Sequence, residues 1–358
     1  MDKVIFGIVG SGWRTEFYLR IAKELPNMFE VCGVVTRNGN KGKEIEEAWG
    51  VKTFRTIDDL LKQSSPGFVV VSVPGEVAPA IIKELSQKGA AVLTETPPAL
   101  DLKGLIEINK LTESGAKIQV AEQYHLQPLQ AARISILNSG RLGNISQVQL
   151  SVCHGYHAMS LMRKFLGIHF ENAQISAYNF ISPIIGGPGR NGDPEQEKME
   201  ESHQVIARLD FGEKLCVYDF SGDQYFSWIR SQHFLLRGDK GEINDSKVRY
   251  LKDFRTPIEL DLKRLNTGEN GNLEGHYLKG IYAGEEWVYT NPFIPGKFTD
   301  DEIAIAACLR KMDQYVNGGQ EFYSLAEASQ DHYLALMIEE AVSTNKIVIT
   351  ETQTWARK

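Results

Sequence analysis

From Val4 to Ala121 the chain alternates short, unbroken apolar runs with stretches whose apolar residues recur at helical spacing. The runs are Val4–Val9, Val31–Thr36, Phe68–Val73, Ala90–Thr94 and Lys117–Ala121. Apolar runs of this kind suit strands covered on both faces. Between them, Glu16–Glu24 predicts a helix with Phe17, Leu19, Ile21 and Ala22 as its apolar members, and Ala78–Gln87 and Leu102–Ser114 predict two more. Strands alternating with helices predict a parallel sheet wound with helices.

The pattern changes near Pro128. A helix over Gln130–Leu137 stops at Ser139-Gly140, and the chain then turns to period-2 alternation in Ile145-Ser146-Gln147-Val148-Gln149-Leu150. Similar strands are predicted at Gln204–Phe211, Lys214–Phe220 and Phe234–Arg237, and long helices at Asp300–Asn317 and Leu325–Thr344. Gly186–Pro194 is a turn-rich loop, and Phe254–Pro292 is too polar to assign. The fold class expected is therefore α/β. A dinucleotide-binding domain would cover 1–123, and an α+β domain with an open, mostly antiparallel sheet 124–358. The C-terminal helices would pack back near the junction.

A chain of 358 residues is long for one domain, which agrees with two. Net charge is −7, with Lys and Arg scattered singly, so the basic stripe of a nucleic-acid surface is missing. No apolar run approaches the roughly 20 residues of a membrane helix. The opening Met1–Gly7 lacks a secretory-signal layout. Cys32, Cys153, Cys216 and Cys308 are far apart and form neither a zinc knuckle nor a disulfide framework. A reducing cytoplasm is the expectation.

Gly10-Ser11-Gly12-Trp13-Arg14-Thr15 ends the first strand and opens the first helix. It fits the first two glycines of G-x-G-x-x-G. The first permits the tight turn, and the second lets backbone approach a pyrophosphate held on helix N–H groups. Thr15 is bulkier than the usual third glycine, which predicts a helix standing slightly off the strand. Trp13 and Arg14 can contact phosphate, close the pocket or form an exposed tip. The second strand ends in Thr36-Arg37-Asn38, with Lys41 and Lys43 beyond and no acid to accept from ribose hydroxyls. Arg37 and Thr36 suit a 2′-phosphate, so NADP is expected, with NAD possible.

Glu95-Thr96-Pro97 follows the strand Ala90–Thr94. Together with the Gly10 turn it resembles the Gfo/Idh/MocA family, the glucose–fructose oxidoreductase and inositol dehydrogenase relatives, whose strand-end triplet is Glu-Lys-Pro. Val73-Pro74-Gly75-Glu76 resembles the family's Thr-Pro-Asn segment beside the cofactor, with Ala78 where a His is common. Glu122–Pro128 resembles its Asn-Tyr-Arg-Phe-x-Pro segment, with His125 at the Arg position. Cys153-His154-Gly155-Tyr156-His157 resembles Asp-x-Gly-x-His, with Cys153 at the Asp position. Gly140–Gly143, Arg237–Gly241 and Lys346–Ile349 extend the resemblance over nearly the whole chain.

The resemblance implies hydride transfer between a nicotinamide and a sugar-like or polyol carbon, in a homo-oligomer (dimer or tetramer). It also implies that two of three expected groups are replaced. Thr96 can donate a hydrogen bond but cannot take up a proton near neutral pH. His157 is the first candidate for proton transfer and Tyr124 the second. His125 and His154 are candidates for substrate contact, and Glu95 for anchoring its loop through backbone N–H groups. His154 and His157 can share a helix face, but only Cys153 is spaced to join them, so no metal is expected. Loss of Lys and Asp also suits a nucleotide-binding regulator, or an enzyme that recycles its bound nicotinamide during elimination or glycoside cleavage.

Overall fold

Residues 3–357 are described, in a computed structural model. By contact the chain divides into two units. One comprises Met1–Ala131, Arg264–Ile281 and Tyr289–Ser329; the other comprises Ala132–Lys263, Tyr282–Val288 and Gln330–Lys358. Two later segments thus join the N-terminal unit, where the sequence predicts a single border at 123.

The first unit runs β1 (Val4–Val9), α1 (Trp13–Glu24), β2 (Phe29–Val35), α2 (Gly39–Trp49), β3 (Thr53–Phe54), α3 (Ile57–Ser64) and β4 (Phe68–Val71). It continues through α4 (Ala78–Gln87), β5 (Val92–Thr94), α5 (Leu102–Glu113) and β6 (Ile118–Val120). Its sheet has the order β3-β2-β1-β4-β5-β6, and every pairing is parallel. The predicted wound parallel sheet is thus present. The apolar strand runs bury both faces as expected. Phe6, Ile8, Phe68 and Val70 face one core, which includes Tyr18 and Ile21; Val69, Val71 and Val92 face another, with Ile82 and Leu85. The first core is completed by Ile303, Ile305, Leu309 and Met312.

α1 begins at Trp13, ahead of the predicted Glu16, because Gly12 is extended and serves as its N-cap. α2, β3 and α3 escape the sequence reading. α2 buries only Gly42 and Ile45, and β3 is two residues long, so neither leaves a readable apolar period.

The chain continues through α6 (Pro128–Asn138), which crosses the border at Ala131, to β7 (Ile145–Ser151), α7 (Gly155–Leu166), β8 (Gln174–Ile185), β9 (Met199–Asp210) and β10 (Leu215–Ser221). β11 (His233–Gly238), β12 (Gly241–Asn244), β13 (Lys247–Asp253) and β14 (Thr256–Thr267) follow. Among the described pairings of β7 through β14, all are antiparallel except β7 with β10, where Leu215 pairs Gln147 in parallel. The mostly antiparallel sheet agrees with the alternation read from Ile145 onward. β8 was not predicted: most of its residues are exposed, so it lacks an apolar period. The polar region after Phe254 is also strand, as β14, β15 (Tyr277–Ala283) and β16 (Glu286–Thr290). α8 (Asp300–Val316), α9 (Leu325–Thr344) and β17 (Val348–Ile349) close the chain. Among the described residues no helix is long and apolar enough to cross a membrane.

α7 is fixed within its unit. Phe165 packs on Phe234 with ring centroids 4.7 Å apart. Arg163 pairs with Asp331 at 2.7 Å, with side chains 2% and 3% exposed, and its Nε donates to the His169 carbonyl. A buried pair this well satisfied holds the helix that carries His157 in one register.

Candidate active site

The turn after β1 is built by two glycines with different duties. Gly10 has φ of +126°, and a Cβ there would stand 1.9 Å from the Ser72 carbonyl oxygen. Its N–H donates to Val35 O at 3.0 Å, tying the turn to β2. Gly12 would meet nothing within 4 Å, and no side chain caps the helix it opens. The start of α1 thus has no side-chain cap and an open flank at Gly12, with the helix dipole behind it, while the Thr15 N–H returns to the Gly12 carbonyl at 3.0 Å. Thr15 is buried, and its hydroxyl donates to Ser72 Oγ at 3.4 Å, so the bulk that predicted a displaced helix is taken up at the end of β4. Trp13 is 55% exposed.

Thr36 is buried at the end of β2, with its hydroxyl 3.0 Å from Ser11 Oγ. Arg37 is exposed. Asn38 caps α2 by accepting from the Asn40 and Lys41 N–H groups. Arg55, which the sequence reading passed over, donates from Nη1 to the Thr36 carbonyl at 3.2 Å. Its only signal in the sequence was a basic residue directly after an unreadable two-residue strand.

Glu95 follows β5, and Val73 and Pro74 lie on the turn after β4. Glu95 differs from expectation. Its carboxylate is engaged by α1 side chains rather than by loop N–H groups: Arg14 Nε donates at 2.8 Å, and the Tyr18 hydroxyl also donates. With its amide oriented to satisfy both neighbours, Gln123 accepts from Arg14 Nη2 at 3.1 Å and donates to Ala121 O at 2.9 Å. Burial opposes the Arg14 charge, but the Glu95 charge and hydrogen bond overcome it and hold the guanidinium above its usual range. Burial first, then Glu95, pushes the Tyr18 phenol up. Thr96 is half-buried beside this cluster, and its bond to Pro97 is cis.

Past β6, Tyr124 N–H donates to Glu122 Oε1 at 3.0 Å. His125 stacks on Tyr323 with centroids 5.2 Å apart, and it lines a cavity of about 810 Å³ with Lys311, Asp313, Gln314, Asn317 and Glu321.

The second unit carries the other two histidines. Cys153 is fully buried, and α7 starts at Gly155 with φ of +43°. His154 is exposed; its N–H donates to the Tyr225 hydroxyl at 3.0 Å, and its Nδ1 lies 2.8 Å from that oxygen. Gly155 N–H donates to the Tyr218 hydroxyl at 3.1 Å. Burial pushes the Tyr218 phenol above its ordinary range. His157 is 7% exposed, with its ring 5.1 Å from that of His154 and 4.5 Å from that of Tyr156. His154 and His157 are thus brought together in an aromatic cluster with Tyr156, Tyr225 and His332. Tyr225 and His332 were not predicted, because they are remote in sequence from the motif they surround. Among the described residues no group of three His, Cys, Asp or Glu is arranged to hold a metal ion.

Residues 4–123 match the model of the GFO_IDH_MocA oxidoreductase family with an NAD-binding Rossmann fold. No curated protein matches the sequence. Among solved structures, an NAD-binding oxidoreductase from Klebsiella pneumoniae is similar at TM-score 0.70 and 14% identity, covering 98% of this chain and 100% of that one. A levoglucosan dehydrogenase in complex with NADH and levoglucosan is similar at TM-score 0.69 and 14% identity, covering 97% and 99%. An oxidoreductase from Agrobacterium radiobacter in complex with NAD+, L-tartaric acid and magnesium is similar at 0.68 and 14%, covering 97% and 98%. Identities this low speak for the shared two-part fold.

Proposed function

We propose that this chain, whose N-terminal domain is that of the Gfo/Idh/MocA oxidoreductases, is an NAD(P)-dependent oxidoreductase acting on a sugar, a polyol or a related hydroxyl or carbonyl compound. The observation that carries the reading is the start of α1 at Gly12, which no side chain caps and where an added Cβ would meet nothing within 4 Å, at the reversal of strand order between β1 and β4. Ligands of open α/β sheets bind at that switch point, outside the carboxyl ends of the strands. The residues present fit a dinucleotide. Gly10 and Gly12 leave room for backbone approach, and Thr36 with Arg37 would meet the adenosine ribose. Val73 and Pro74 would flank the other half, while Trp13 borders the open helix start. Arg14 serves Glu95 first. The basic strand end supports NADP as the preferred form.

When bound, the nicotinamide supplies a site that accepts or gives a hydride. The chain's own task is then to place a hydroxyl or carbonyl group and to move one proton. In this reading His157 takes that proton when an alcohol is oxidised and returns it when a carbonyl is reduced. Tyr124 is second choice, Thr96 donates a hydrogen bond to substrate, and His125 and His154 contact it. Levoglucosan and tartaric acid in the similar structures support a small polyhydroxylated substrate. The exposed Tyr178, Phe180, Ile181 and Ile185 on β8 support pairing of copies.

The test is nicotinamide absorbance while the purified chain meets NADP+ and then NAD+ over a panel of sugars, polyols and their acids. Reduction with any member supports the reading. Tight nucleotide binding with silence across the panel favours a second one, which rests on Thr96 and the buried Cys153. In that reading the chain binds nicotinamide nucleotide as a regulator.

A further inference from the structure

We propose that Arg55 is the residue that reads the cofactor's 2′-phosphate, using the guanidinium edge formed by Nε and Nη2. The inference rests on the dinucleotide reading above and gives it a specificity determinant. A dinucleotide seated on the Gly10 turn brings its adenosine ribose to the end of β2, where an acid would accept from the 2′-hydroxyl. From Thr36 to Lys43 there is no acid. The 2′ position therefore meets hydroxyls, backbone and cations.

The cations are not equivalent. Lys41 is drawn to Glu44, with Nζ 3.1 Å from Oε2. Arg37 is exposed. Arg55 is fixed in place, with Nη1 3.2 Å from the Thr36 carbonyl and 3.4 Å from Thr53 Oγ1. α2 makes room for it: a Cβ on Gly42 would stand 2.7 Å from Nη1 and 2.8 Å from Nη2. The acid facing this group is Glu46, whose Oε1 is held by the Thr53 N–H and hydroxyl at 2.9 and 2.7 Å.

What remains on Arg55 is the useful part. Among the described residues, Nε and Nη2 have no hydrogen-bond partner; the side chain is held through Nη1 alone. The Nε–Nη2 edge presents two parallel N–H donors, the arrangement that takes two oxygens of one phosphate. Asn38 already satisfies two of the first N–H groups of α2, so the helix start competes little for the anion. Such an arrangement is pre-positioned by the protein and lacks only its acceptor.

The experiment is calorimetric titration of the full chain with 2′,5′-ADP, 5′-AMP, NADP+ and NAD+. The wild type is expected to prefer the 2′-phosphorylated member of each pair. Arg55→Ala should weaken 2′,5′-ADP and NADP+ by about tenfold or more while leaving 5′-AMP and NAD+ within about twofold, as loss of a charge-assisted pair requires. Arg55→Lys keeps the charge and loses the fork, so it should fall between. Because Arg55 is exposed, the variants should fold, and circular dichroism checks this. An unchanged preference in Arg55→Ala overturns the assignment, as does a wild type indifferent to the 2′-phosphate. Failure of the wild type to bind either dinucleotide would strike the nucleotide reading itself.

Discussion

Arg14 Nε lies 2.8 Å from Glu95 Oε1, and the two side chains are only 14% and 15% exposed. The first turn of α1 is thereby locked to the strand end that carries Thr96. Each charge is costly to bury alone, so removing one partner should destabilise more than removing both. Arg14→Leu should lower unfolding free energy by about 3–5 kcal/mol, and Arg14→Leu with Glu95→Leu by less than either single change. Urea unfolding of the four chains measures the coupling. Additive costs would mean that the pair contributes nothing as a pair.

The two glycines of the turn should separate folding from binding. Gly10→Ala places a methyl 1.9 Å from the Ser72 carbonyl at φ of +126°, so either β1 or β4 must shift. It should cost about 3 kcal/mol or more through strain and overpacking. Gly12→Ala meets open space and should melt within a few degrees of wild type. It should nevertheless weaken dinucleotide binding about tenfold or more, because the new methyl stands where backbone must approach the pyrophosphate. Thermal melts beside nucleotide titrations decide this. A Gly12→Ala chain that binds as well as wild type would move the cofactor off this turn.

These contrasts show what the sequence could carry. β1, β4 and β5 were legible because both faces of each strand are buried, leaving unbroken apolar runs. α9 was legible to the residue, from Leu325 to Thr344. α2 was not, since its inner face is Gly42 and Ile45 alone, and Arg55 was hidden behind it. The motif frame named Glu95, Thr96, His154 and His157. It could not say that Arg14 and Tyr18 would take the Glu95 carboxylate, because that pairing joins residues 81 and 77 positions apart. Nor could it find Tyr225, which reaches His154 from 71 positions away.

His157 and Thr96 should divide turnover from affinity. His157→Ala removes the proposed proton carrier and should lower kcat by about 10²–10⁴ while leaving dinucleotide affinity nearly unchanged. Thr96→Val removes the proposed hydrogen-bond donor to substrate, which would serve ground state and transition state alike. It should raise KM for substrate several-fold with kcat little altered. Steady-state kinetics on the first active substrate, with nucleotide titrations of both variants, make the comparison. Unchanged turnover in His157→Ala passes the role to Tyr124, tested next as Tyr124→Phe.

The cysteines predict how the fold responds to alkali. Cys32 donates its thiol to the Phe6 carbonyl at 3.3 Å, and burial pushes its pKa up to about 11. Burial also pushes Cys216 and Cys308 well above the ordinary thiol range. In the unfolded chain these thiols titrate near 8.5. Between that pH and about 11 the folded chain keeps protons that the unfolded chain releases, so stability must fall as pH rises through this window. Melting temperature should therefore be level below about pH 8 and decline above it. Cys32→Ala, which leaves one thiol fewer to deprotonate, should flatten the decline. At pH 8 a thiol reagent should label the folded chain slowly and the denatured chain at all four positions. Buried tyrosines such as Tyr18 and Tyr218 push stability the same way from about pH 10, the ordinary phenol value, so the comparison with Cys32→Ala carries the test. If that variant falls as steeply as wild type between pH 8.5 and 11, the Cys32 thiol is not held protonated by the fold and its contact with Phe6 is incidental.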